Sequence, residues 1–120
     1  MIKREEISQY INKNYDIHPD YPWSKFPGYA AFRHKESGKW FSLIMNVTGD
    51  KIGLSSKEEI DILNVKAEKE FIGALRNKSN IYAAYHMNKD NWITINLNET
   101  TNISQIKDLI EDSFNLTGPS

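Results

Sequence analysis

Cysteine is absent from this 120-residue chain, and its absence excludes disulfides, thiolate nucleophiles and cysteine-ligated zinc or iron–sulfur sites together. Packing alone must hold the fold. Long apolar runs are also missing: nothing approaches the roughly 18 consecutive apolar residues that a membrane span requires, so no membrane partner is expected. The opening Met1-Ile2-Lys3-Arg4-Glu5-Glu6 passes directly into a charged segment and lacks the apolar stretch and small-residue cleavage site of a secretory signal. Cytoplasmic residence is the expectation. Charge of one sign is not in excess either, since 15 Lys+Arg face 16 Asp+Glu for a net of −1, and such a chain has no global attraction to a polyanion. No glycine-rich phosphate loop, nucleophile elbow or His-Glu-x-x-His pattern occurs, so no cofactor is implied and no residue is assigned a catalytic role.

What is present is an ordinary globular composition, 39% hydrophobic and 26% charged. A chain of this length fits one domain, spanning 1–120, and buries roughly two-thirds of the surface its unfolded form exposes. Charge is unevenly spread: residues 25–40 carry Lys25, Arg33, Lys35 and Lys39 against Glu36, for +3, and residues 66–89 also reach +3. Residues 90–120 reach −4, which disfavours a polyanion contact there.

Ile7, Tyr10 and Ile11 recur at helical spacing, with Glu5 and Glu6 in the first turn where they suit the helix dipole, so a first helix is predicted over 3–14. Three of the four prolines fall within Asp16–Gly28, where missing amide donors and restricted neighbours predict a fixed irregular connection. Tyr29–His34 and Lys39–Asn46 are rich in aromatic and aliphatic residues and flank Lys35-Glu36-Ser37-Gly38, which predicts a hairpin with Gly38 in a left-handed conformation. Trp40-Phe41-Ser42-Leu43-Ile44-Met45 is apolar on both alternating faces, as in a central strand covered on both sides or one bearing an aromatic patch on an open face. Gly49-Asp50 predicts a turn into a short strand at Lys51–Leu54. Ile60–Val65 has strand character, and Phe71, Ile72 and Leu75 mark a helix over Glu68–Asn77.

Trp92–Leu97 alternates strictly, placing Ile93, Ile95 and Leu97 on one face of a half-buried antiparallel strand. Ile103, Ile106, Leu109, Ile110 and Phe114 mark a last amphipathic helix over 103–115, with Thr101 or Asn102 as its cap and Gly118-Pro119 past its end. This order predicts an α+β two-layer sandwich, a mainly antiparallel sheet with helices packed on one face. Ile7, Ile11, Ile93, Ile95, Ile106, Leu109 and Ile110 should then be buried.

Two segments concentrate chemistry. Phe32–Phe41 holds Arg33, His34, Lys35, Lys39 and Trp40, and Tyr82–Trp92 holds Tyr85, His86, Lys89 and a second tryptophan. If both lie on one face, arginine and lysine can position the protein on phosphates while Trp40, Tyr82, Tyr85 or Trp92 stacks on exposed bases. The bland alternative makes the aromatics core and the charges a solvated rim. A groove for a small anion, peptide or protein is a third option, lined by Trp23, Trp40 and Trp92 with Arg33, Lys66 and Lys89, and with Asn64 beside Lys66 at a strand end. Equally, Asn64 caps a turn and Lys66 extends into water. His18, His34 and His86 lack any short metal-binding spacing, so no metal site is assigned. His86 with Tyr85, Lys89 and Asp90 has acid–base chemistry, but adjacency in sequence does not make convergence in space. Glu58, Glu59 and Asp61 read as a solvated strand edge.

At Tyr21-Pro22-Trp23, Phe32-Arg33-His34-Lys35, Lys39-Trp40-Phe41, Leu63-Asn64-Val65-Lys66 and Tyr85-His86-Met87-Asn88-Lys89, followed by Trp92, the chain resembles the MmcQ/YjbR family over nearly its whole length. It departs from the family pattern at Ala83, where a proline often precedes the Tyr-His-Met segment. The resemblance implies a compact fold similar to the frataxin-like and secretion-chaperone-like two-layer sandwiches. It also implies DNA binding through a double-wing motif, an expectation that rests on fold comparison. On that expectation the 29–46 hairpin and the 85–92 segment are two projections over a phosphate backbone, and the binding residues are Arg33, Lys35, Lys39, Trp40, Lys66, Tyr85, His86, Lys89 and Trp92. DNA is the first expected partner of a monomer, and a small anion, peptide or protein is the alternative.

Overall fold

Apolar residues alternate along the strands, and the sheet they build carries a buried apolar cluster on each face. The computed structural model describes residues 1–118. In chain order these form α1 (Arg4–Tyr15), β1 (Ala30–Arg33), β2 (Trp40–Thr48), β3 (Glu59–Lys66), α2 (Lys69–Leu75), β4 (Ile81–Ala83), β5 (Trp92–Asn96) and α3 (Ile103–Thr117). The strands lie in the order β1-β2-β3-β5-β4, and every neighbouring pair is antiparallel. This is the expected α+β architecture.

The helices cover one face because their apolar stripes have no other place to go. Ile7 and Ile11 of α1 and Ile106, Leu109 and Ile110 of α3 join Ile93, Ile95, Leu63 and Phe41 of the sheet in one buried cluster. Burying a side chain of this size contributes roughly 1.5–3 kcal/mol. Local signals set the helix ends. The Glu6 carboxylate accepts the Lys3 N–H at 2.8 Å, α1 stops where Asp16 turns left-handed at φ 55°, and the Asn102 side chain accepts the Ser104 N–H at 2.9 Å to start α3. Gly118 follows α3 as expected, and Pro119 lies outside the described residues.

Three expectations need correction. The stretch predicted as a strand at Lys51–Leu54 is instead a 3-10 turn over Gly49–Ile52. Glycines bracket it, Gly53 adopts φ 95°, and the amides of Gly53 and Leu54 bond back to Asp50 and Gly49, so the turn closes on itself rather than on a neighbouring strand. Asp61, expected on a solvated edge, instead meets the Arg4 guanidinium at 3.0 Å, while that same guanidinium donates to the Gly28 carbonyl at 2.8 Å. Arg4 thereby ties α1 to the sheet and to the proline-bearing loop. The helix predicted over 68–77 is shorter, at Lys69–Leu75.

The apolar run at Trp40–Met45 is covered on both faces, and a β-bulge sorts it. Pairing jumps from Phe32–Ser42 to Arg33–Trp40, leaving Phe41 as the extra residue. Regular alternation would place Trp40 with Ser42 and Ile44 on the helix side. The bulge instead sends Phe41 into the helix-side cluster and Trp40 to the opposite face.

Candidate functional site

The face opposite the helices is built from Ala31, Leu43, Met45, Val47, Ile60 and Ile62, and side chains from the loops and the 3-10 turn pack against it. At one end of this face the register sets Arg33 against Trp40 and Lys66 against Trp92. Alternation and the bulge turn all four side chains away from the helices. Because every strand pair is antiparallel, the 34–39 turn and the 84–91 loop open at this same end.

Aromatic rings wall a groove of about 350 Å3 here. Trp23, Phe26 and Tyr29 come from the loop before β1, Trp40 and Met45 from β2, and Tyr85 with His86 and Met87 from the 84–91 loop. The Trp23 and Trp40 rings lie 5.4 Å apart at 54°, Trp23 meets Tyr29 edge-on at 6.1 Å, and Phe26 stacks on Tyr29 at 4.8 Å. These tilted, edge-on and stacked geometries suit the ring quadrupoles. Burial, followed by contact with the Tyr85 hydroxyl, pushes the Tyr29 phenol above its ordinary pKa, so Tyr29 enters the groove as a neutral hydrogen-bonding group. Behind Trp40, the Arg33 guanidinium carbon sits 5.8 Å from the ring centroid, and Arg33 Nε lies 2.6 Å from Asp20 Oδ2.

The 84–91 loop is pinned to the sheet. Asn64 and Thr94, both fully buried on β3 and β5, project from paired positions. Asn64 Nδ2 donates to the Tyr85 carbonyl at 2.9 Å. The Thr94 hydroxyl donates to Asn64 Oδ1 and accepts the Tyr85 N–H at 2.8 Å. Lys89 Nζ closes the loop on the Ala84 carbonyl at 2.9 Å, and His86 takes a left-handed φ of 58°, unusual for a non-glycine residue. Tyr85 is thereby held against the sheet, while His86 and residues 88–90 of the same loop stay exposed. The Asn64–Thr94 tie gives the asparagine within the apolar Leu63–Val65 stretch its role: the buried pair satisfies its own polar groups on the half-buried Tyr85 backbone.

The predicted site residues therefore divide. Trp40, Tyr85 and His86 line the groove, Trp92 packs against the same apolar cluster, and Arg33 and Lys66 occupy the strand ends beside it. Lys39 is exposed on the adjoining turn. Lys35 does not join them, because its ammonium pairs at 2.8 Å with Asp16, past the end of α1, and holds that carboxyl below its usual pKa. His34 also points to the helix side. Its Nε2 lies 2.9 Å from Thr117 Oγ1, with the Phe114 and Phe41 rings at 4.2 Å and 5.2 Å, and burial depresses its pKa. His18 is exposed, and among the described residues no three His, Asp or Glu side chains gather to hold a metal ion. No helix is long and apolar enough to cross a membrane among those residues.

Phe26, Tyr29, Met45 and Met87 are groove residues that sequence reasoning missed. The signal was available in Tyr21–Tyr29, where two prolines, a glycine and four aromatics share nine residues: a stiff backbone carrying that much aromatic area covers something.

Comparison with known proteins places this chain among relatives. Residues 4–116 match the YjbR family. The uncharacterized protein YyaQ of Bacillus subtilis is 48% identical over 117 residues, covering 98% of this chain and 99% of its own. A Pseudomonas syringae protein, solved as a structural-genomics target, is 45% identical. Its crystal structure superposes with a TM-score of 0.95 over 98% of this chain and all of its own. The Deinococcus radiodurans protein DR2400, with a DUF419 domain, shares the fold at a TM-score of 0.72 and 18% identity, over 97% of this chain and 78% of its own.

Proposed function

This chain belongs to the YjbR family, and from its own geometry we propose that it is a binding module whose open-face groove receives a flat aromatic group of an anionic ligand. One observation carries the reading: five aromatic side chains, Trp23, Phe26, Tyr29, Trp40 and Tyr85, converge on a single groove of about 350 Å3. That volume is within the usual range for small-ligand sites, and its walls are apolar with few polar groups, as such sites require. Tyr29, Tyr85 and His86 supply those polar groups. Lys66, opposite Trp92 in the register, has no acidic partner among the described residues and offers charge to the anionic part of the ligand.

The same end of the sheet supports a second reading, single-stranded nucleic acid, because Lys66 faces Trp92 in the register and Lys39 and Lys89 lie exposed on the turn and loop that open at this end, with rings there on which a base could stack. Duplex DNA fits less well. Arg33 and Lys35 are paired with Asp20 and Asp16, which leaves fewer free cations for its phosphates.

Tryptophan fluorescence titration decides between them, using phenyl phosphate, adenosine monophosphate, an oligothymidine and a duplex of equal length. The groove reading expects saturable quenching by both small aromatic anions, weakened about tenfold or more by Trp40→Ala. Much tighter binding of the oligothymidine, with a log–log salt slope near about −2 for three lysine–phosphate contacts, would favour the nucleic-acid reading. No saturable change with any of the four probes would refute both.

A further inference from the structure

We propose a second site on the helix face, a docking groove between α2 and α3 that accepts a basic amphipathic helix of a partner protein. The groove, of about 420 Å3, is lined by Phe71 and Leu75 of α2 and Leu109 and Leu116 of α3, with Glu68 and Asp112 at its mouth. It contains none of the residues of the open-face groove. Phe71 is 57% exposed and Leu116 37% exposed, so two large apolar side chains flank a cleft already floored by apolar atoms. An isolated exposed leucine needs no explanation, but apolar side chains converging from two elements on one cleft mark an interaction surface.

Charge selects the occupant. Both ionisable groups lining the cleft are carboxylates. Glu68, Phe71 and Leu75 share one flank of α2, whereas Lys69 and Arg76 fall about 100° away around the helix. On α3, Lys107 turns to the opposite side, its ammonium 5.4 Å from the Tyr10 ring centroid, and Asp108 lies one turn before Asp112. The cleft thus offers apolar anchoring sites framed by negative charge. A helix with leucine-like residues at i, i+3 and i+7 and lysine or arginine beside them matches both features, and an acidic or neutral helix matches only one.

The test uses the full chain, isotopically labelled for amide NMR, and two synthetic helical peptides with one leucine pattern, one lysine-faced and the other glutamate-faced. The lysine peptide should shift the amides of residues 68–75 and 109–116 saturably, and the glutamate peptide should not. Phe71→Ser and, separately, Asp112→Lys should each weaken the lysine peptide about tenfold. Both positions are exposed, so the fold survives these changes, and unchanged shifts elsewhere in the spectrum verify it. Equal binding of the two peptides, shifts confined to the open-face groove, or no saturable shift would overturn the proposal. So would self-association of the unliganded chain that Phe71→Ser abolishes, because the occupant would then be a second copy.

Discussion

Thr94→Val isolates the tie that holds the 84–91 loop against the sheet. Valine preserves the branched shape in a fully buried position but removes a hydroxyl that donates to Asn64 Oδ1 and accepts the Tyr85 N–H. Two partners are left unpaired. A buried polar group without its partner costs about 1–3 kcal/mol. Asn64 Oδ1 is buried and bears the full penalty, whereas half-buried Tyr85 recovers part of its own from water, giving a total of roughly 2–3 kcal/mol. For a domain of this size the melting temperature should fall by about 8–12 °C. Urea unfolding measures the loss, and hydrogen exchange at the Tyr85 amide localises it, since that amide should exchange faster than its neighbours on β5. A destabilisation under about 0.5 kcal/mol with unchanged Tyr85 exchange would refute the proposed tie.

Three further outcomes follow from the same structure. Phe41→Ala should cost about 3–5 kcal/mol in urea unfolding, because its buried ring meets Tyr15, Phe32, His34 and Phe114. Burial depresses the native His34 pKa, so the unfolded chain binds the extra proton: stability should be full above the ordinary histidine value of about 6.5 and decline as pH falls below it, and His34→Gln should flatten that decline in urea midpoints. Asp20→Asn should tighten binding of anionic ligands several-fold by releasing Arg33, while Lys35→Ala should leave it unchanged, both read by fluorescence titration.

Periodicity made most of the fold legible. Ile93 and Ile95 announced their face by strict alternation, and the stripes of α1 and α3 announced theirs by helical spacing. All seven side chains predicted as core are buried. Lys51–Leu54 misled because four residues are too few for alternation to outweigh the glycines at either end. The candidate site was legible only by residue type. Trp40, Tyr85 and Trp92 were identified as chemistry-bearing, but a linear pattern does not state that Asp16 neutralises Lys35 across 19 positions of sequence, or that Asn64 spends its amide on a loop carbonyl. Such pairings belong to tertiary geometry.

The bulge at Phe41 places adjacent residues under different demands. Position 41 answers to the core, where shape and volume are fixed by four surrounding rings, while position 40, on the proposed reading, answers to the groove. Substitution at one need not be compensated at the other, because the two side chains belong to clusters on opposite faces of the sheet. For an engineer the same division makes positions 40, 23 and 85 a library whose cost falls on the open-face apolar cluster they pack against, while the helix-side core one residue away is left intact.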